Sequence, residues 1–281
     1  MPLLTIARLT ILEASRRKLL LALGVLTVVV ILLTSWGFSR LPTMNNVTPA
    51  EVRLASSQLT ILVAFMFSGV LALGSTLVAA PSIASDIESG IALAILPRPI
   101  RRSEVLMGKW LGLAALVILY AVASGLLELL GIWLATGYTP PNPVAALAFV
   151  AAEGIILMTL ALLLSTRLAP MTGGVIALVL FFVAWIGGIA LAIGQAFAND
   201  TIINIGVGSR LLIPTDALWH GAIFYLEPSE ILAAARAAGR ARAGNPFFAD
   251  QPLPLTYLAW VVAWLAGLLA LANWSFARRD L

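Results

Sequence analysis

The chain has 281 residues, of which 61% are apolar and only 11% charged, and its formal net charge is +4. With a mean hydropathy of +1.02 it belongs to the membrane class and leaves no room for a separate soluble domain of ordinary size. The absence of cysteine excludes disulfides, iron–sulfur clusters and thiolate metal sites, and a single histidine, His220, excludes paired-histidine metal sites, so no metal site is expected.

Residues 2–18 mix apolar and polar positions without a clean stripe and end in the basic triplet Arg16, Arg17, Lys18, which predicts an interfacial helix. Six windows then have the ~20 apolar residues that carry a helix across ~30 Å of hydrocarbon. They fall at 19–38, 59–80, 110–134, 144–166, 172–196 and 255–276. The first is too long for an ordinary signal peptide, and its removal would place basic segments on opposite sides of the membrane.

The expected fold is therefore all-α, a single polytopic domain over 1–281 with six transmembrane helices. Eleven of the seventeen Lys and Arg residues lie in the segments that alternate to one side: the N-terminus, the 81–109 connector, the turn at Arg167 and the C-terminus. The positive-inside rule puts that side, with both termini, in the cytoplasm of a cell inner membrane. This explains the basic pI without nucleic acid as a partner.

The second and third spans are joined by residues 85–109, where Asp86 and Glu88 precede a short apolar stretch that Pro97 and Pro99 break. Arg98, Ile100, Arg101, Arg102 and Glu104 follow, and a helix restarts near Ser103. An apolar face between charged ends suits a groove on a partner protein, because burial supplies affinity while charge fixes register. Within the spans themselves, Glu128 and Glu153 lie at similar depths and are candidates for a translocation path.

The three prolines after Tyr138 form a tight hairpin. Residues 197–254 read as an outer loop with one or two short helices lying on or dipping into the membrane surface, then an alanine-rich helix starting near Ser229. A seventh span is disfavoured, because Arg210 and Asp216 would each cost ~2.5–3.5 kcal/mol at a helix centre. Gly69 to Thr76 has the glycine spacing of a phosphate-binding loop but Ser75 in place of its lysine, so any ATPase must be another chain.

The pattern resembles the ABC-2 type family of transporter permeases, and within it the branch that includes the permease for nitrous-oxide-reductase maturation. The resemblance is carried by Glu88 or Asp86, Gly90, Pro99-Ile100-Arg101-Arg102 and Gly108-Lys109. The basic start, the six spans, Pro214 to Trp219 and the terminal Arg278-Arg279-Asp280-Leu281 extend it.

It departs at Ile91-Ala92, where threonine-leucine is common, and at Arg98, where a small residue is usual. It implies a non-catalytic membrane subunit that couples ATP hydrolysis by a separate nucleotide-binding subunit to export. Asp86, Glu88, Gly90, Arg98, Pro99, Ile100, Arg101, Arg102 and Glu104 would then form a cytoplasmic coupling helix and its flanks. ATP and Mg would sit on the partner, with no cofactor on this chain. A second copy or homologue would complete the path, with Gly69, Gly74, Gly187 and Gly188 permitting close approach of the second and fifth spans. The alternative reading is a proton-coupled carrier that uses Glu128 and Glu153.

Overall fold

A computed structural model describes residues 2–43, 47–88, 101–238 and 245–279. The described residues are all-helical, and six of their helices are long and apolar enough to cross a membrane. Helix α1 (Pro2–Ser15) precedes the first spanning helix α2 (Lys18–Arg40), and a 3₁₀ turn follows at Leu41–Thr43. Next come α3 (Pro49–Ala79), the short α4 (Pro81–Glu88), α5 (Arg102–Thr136), α6 (Pro143–Ser165) and α7 (Pro170–Ala196). The last four are α8 (Asp200–Leu212), α9 (Thr215–Leu226), α10 (Ser229–Ala238) and the final span α11 (Leu255–Ala277).

The spanning helices coincide with the six apolar windows, but α3 and α5 extend well beyond theirs. Hydropathy marks where lipid ends, whereas capping groups set where a helix ends. Thr48 and Glu51 form a capping box ahead of Pro49, with Thr48 N donating to Glu51 at 2.7 Å, so α3 starts ten residues before its apolar window. At α5 the Glu104 carboxylate accepts from Arg101 N at 2.9 Å, and Gly137 closes the other end in the left-handed conformation at φ 69°. Asn142 caps α6 ahead of Pro143, its Oδ1 accepting from Ala145 N at 3.2 Å.

Helix α6 is the axis of the bundle, with Leu157, Met158, Ala161 and Leu162 fully buried. Around it stand α3, α5, α7 and α11, while α2 packs on α5 and leaves most of its apolar surface open. Helix α1 packs against the bundle. It lies across the first turns of α5, where a methyl built on Gly112 would stand 2.6 Å from Ala7 O. The glycines at 108 and 112 are what let the two backbones meet.

Candidate functional site

The segment between α7 and α11 is where the structure departs most from a surface loop. Helix α8 turns back along the far half of α7, with Ile203 at Gly194, Leu191 at Gly206 and Ser209 at Gly187, so the two run antiparallel. The chain then reverses at Ile213-Pro214, and α9 climbs out beside α6, where Tyr225 O accepts from Asn142 N at 3.2 Å. At 1.5 Å per residue, Asp216 against Gly188 lies roughly 12 Å below the end of α7, over a third of a ~30 Å hydrocarbon core. The pair α8–α9 is a re-entrant hairpin that enters and leaves on one side.

Such a tip strands carbonyls where no water reaches them. Helix α11 satisfies them. Tyr257 OH donates to Arg210 O at 2.7 Å, Trp260 Nε1 to Leu211 O at 3.2 Å and Trp264 Nε1 to Leu212 O at 2.9 Å. The spacing of these aromatics, three and then four residues apart, puts them on one face of α11. Trp264→Phe removes one of these donors, with an expected loss of about 1–3 kcal/mol for a carbonyl left unpaired. Chemical unfolding in detergent would register it, and a change below that range would mean another group takes over at Leu212.

The same tip carries two charges that sequence reasoning counted separately. Arg210 Nε meets Asp216 Oδ2 at 2.7 Å, and the Asp216 side chain is 1% exposed. His220 Nδ1 lies 2.9 Å from Asp216 O; a carbonyl only accepts, so Nδ1 carries the proton. The same Nδ1 lies 3.5 Å from Asp216 Oδ2. Gly187 and Gly188 are occupied by Ser209 and Asp216 of this hairpin, and Gly74 by Leu23, so only Gly69 among the four glycines faces open space.

The intramembrane carboxylates sit apart from one another in their bonding. Ser68 donates to Glu153 Oε2 at 2.8 Å on the α3 side. Thr34 donates to Glu128 Oε2 at 3.0 Å on the α2 side. At the far end, burial raises the Tyr138 phenol above its ordinary pKa, helped by the Glu227 carboxylate, and the hydroxyl donates to Leu226 O at 3.2 Å.

The terminal end of the bundle is held by arginines that cap helix C-termini, where carbonyls and the helix dipole favour cations. Arg102 Nη1 donates to Phe276 O, Ala277 O and Arg279 O at 3.2, 3.1 and 2.7 Å. Arg167 donates to Ser275 Oγ and O at 3.1 and 3.0 Å, and Arg279 donates to Thr166 O. Lys109, also buried, pairs with Asp86 Oδ2 at 2.5 Å and donates to Ser82 O, which ties α4 to the base of α5. The two helices that enter and leave the connector are thus pinned together at its neck.

Of the nine connector residues singled out by sequence, Asp86, Arg102 and Glu104 serve these internal bonds, and Glu88 and Arg101 are exposed. Gly90, Arg98, Pro99 and Ile100 lie outside the described residues, as does the short apolar helix expected over 91–96. Among the described residues no three acidic or histidine side chains are grouped to hold a metal ion.

A search of curated proteins finds no match to this chain. A family model described as ABC-2 family transporter protein matches residues 4–281. That is nearly the whole chain, and with six membrane-crossing helices it establishes that this protein belongs to the ABC-2 family of transporter proteins.

Proposed function

We propose that this chain is the membrane subunit of an exporter driven by ATP hydrolysis on a separate subunit, seated on the connector at residues 85–109. The observation that carries the proposal is the pinned neck. A loop whose two ends are locked by Lys109 and Asp86 transmits a push instead of absorbing it. Both termini and this connector lie in the cytoplasm of the inner membrane, and ATP with Mg belongs to the partner.

Helix α11 gives the push a route. At one end it is held by Arg102, in the first turn after the connector, and at the other its Tyr257, Trp260 and Trp264 hold the re-entrant tip. A tilt of α11 therefore moves the α8–α9 hairpin. A second copy or homologue would pack on the exposed face around Gly69, where α3 and α7 leave an open apolar groove. Glu128 and Glu153 remain candidates for the path, and the branch that includes the nitrous-oxide-reductase-maturation permease is supported by Pro214 to Trp219 and the Gly108-Lys109 pair.

The exposed rims of the neck test this reading. Glu88→Lys combined with Arg101→Glu is expected to weaken co-purification with the cognate ATPase subunit by roughly 30-fold or more, at 2 kcal/mol or above for broken interfacial charge pairs. Membrane insertion should be unchanged, since neither side chain is buried. An undiminished complex would remove the connector as the dock. The proton-carrier reading instead requires transport without ATP that is lost on Glu128→Gln with Glu153→Gln.

A further inference from the structure

Between α3, α5 and α6 lies a cavity of about 50 Å³, open on one side and lined by Phe67, Leu71, Leu147 and Val150 together with Tyr120 and Glu128. Glu128 is 5% exposed. Its Oε2 lies 3.0 Å from Thr34 Oγ1, which also reaches Val30 O at 2.8 Å, and its Oε1 is buried with no hydrogen-bond partner among the described residues. Asp216 has Arg210 and Asp86 has Lys109, whereas Glu153 has a serine, Ser68, and Glu128 a threonine. No lysine, arginine or histidine lines the Glu128 cavity.

The two hydroxyls on the cavity wall sharpen its chemistry. Thr60 Oγ1 donates to Ser56 O at 2.7 Å and Ser124 Oγ donates to Tyr120 O at 2.6 Å, so each has spent its proton within its own helix. What they offer the cavity is lone pairs. The Tyr120 hydroxyl donates to Thr27 Oγ1, whose own proton goes to Leu23 O, so Glu128 Oε1, Thr60 Oγ1 and Ser124 Oγ are left as three acceptors beside the rings of Phe67 and Tyr120. Three acceptors, one of them a carboxyl oxygen that an incoming cation draws into its charged form, complement the three N–H donors of an ammonium group, and aromatic faces favour the same cation.

We infer that this cavity binds the head of a singly charged primary alkylammonium, whose nitrogen donates to Glu128 Oε1 and whose tail follows the Leu71, Leu147 and Val150 wall out of the open side. The size limits the ligand. About 50 Å³ takes a head group of a few heavy atoms, whereas a pocket enclosing a drug-sized molecule needs roughly 300–1,000 Å³. A phospholipid amine is disfavoured because its phosphate would need a cation that the lining lacks. The inference concerns this chain alone and stands whether or not an ATPase docks on the connector.

The test is saturable binding of radiolabelled decylamine to the full-length chain in phosphatidylcholine nanodiscs. Glu128→Gln is expected to weaken it about ten-fold or more, while Glu13→Gln, an exposed carboxylate on α1, leaves it unchanged. Decanol and decyltrimethylammonium, which lack the charge or the donors, should compete at least ten-fold less well than unlabelled decylamine. Should Glu128→Gln fail to fold, Ser124→Ala removes one acceptor and is expected to weaken binding about three-fold or more.

Unchanged binding in the folded variant, or competition by decyltrimethylammonium or decanol equal to that of decylamine, would overturn the assignment. Displacement by phosphatidylethanolamine added to the nanodisc would overturn its restriction to singly charged amines.

Discussion

Replacing Arg210 with methionine is expected to destabilise the protein by about 3–5 kcal/mol, the cost of leaving one half of a buried ion pair uncompensated. Asp216 would keep its side chain, 1% exposed and pressed against Gly188, with only His220 Nδ1 at 3.5 Å beside its Oδ2. His220 is no substitute. Its Nδ1 proton is directed at Asp216 O at 2.9 Å, and the carboxylate oxygen lies farther off at 3.5 Å.

The measurement is unfolding of the detergent-solubilised protein by titration with dodecyl sulfate, followed by tryptophan fluorescence, since Trp219 lies one turn from Asp216. Adding Asp216→Leu should restore most of the loss, because an apolar pair of similar volume costs neither desolvation nor an orphaned charge. A single-variant loss under about 1 kcal/mol would mean that water reaches the tip, as it does for exposed pairs.

The pair explains why the hairpin was not legible in the sequence. Charging Arg210 and Asp216 separately for burial rightly disfavours a seventh span, but it does not show that the two cancel each other across a reversal that only Ile213-Pro214 hints at. The six spans were legible because ~20 apolar residues in a row have few other solutions. The beginning of α3 at Pro49 was readable in principle from Thr48-Pro49-Ala50-Glu51, a capping box with proline at its first turn.

Glu128 and Glu153 stand out in any apolar chain. Their partners do not. Serines and threonines are scattered through these helices, and no local pattern says that Thr34 and Ser68 are the ones that turn inward. The grip of Arg102 on the end of α11 joins residues more than 170 positions apart, so it belongs to tertiary packing alone. The same holds for Gly187 and Gly188, which read as a surface for another subunit and instead seat the chain's own hairpin.

Lys109→Met is the second large effect expected, a loss of about 3 kcal/mol. It sits toward the lower end of the range for broken buried pairs because the Asp86 side chain keeps 17% exposure. The variant leaves Ser82 O without the lysine's donated hydrogen bond as well. Adding Asp86→Leu is expected to recover the stability, measured by the same unfolding titration, since the neck then closes on an apolar contact.

Stability and docking should part company in that double variant. The charged pair fixes the angle between α4 and α5 through a short, directional bond, whereas a leucine–methionine contact holds them together without fixing rotation. A connector with a loosened neck must be ordered again when a partner binds, at about 0.5–1.5 kcal/mol for each side chain immobilised, so co-purification with the ATPase subunit should fall about ten-fold. Full recovery of both quantities would assign Lys109 and Asp86 to packing alone; recovery of stability without docking is the outcome that makes the neck part of the coupling machinery.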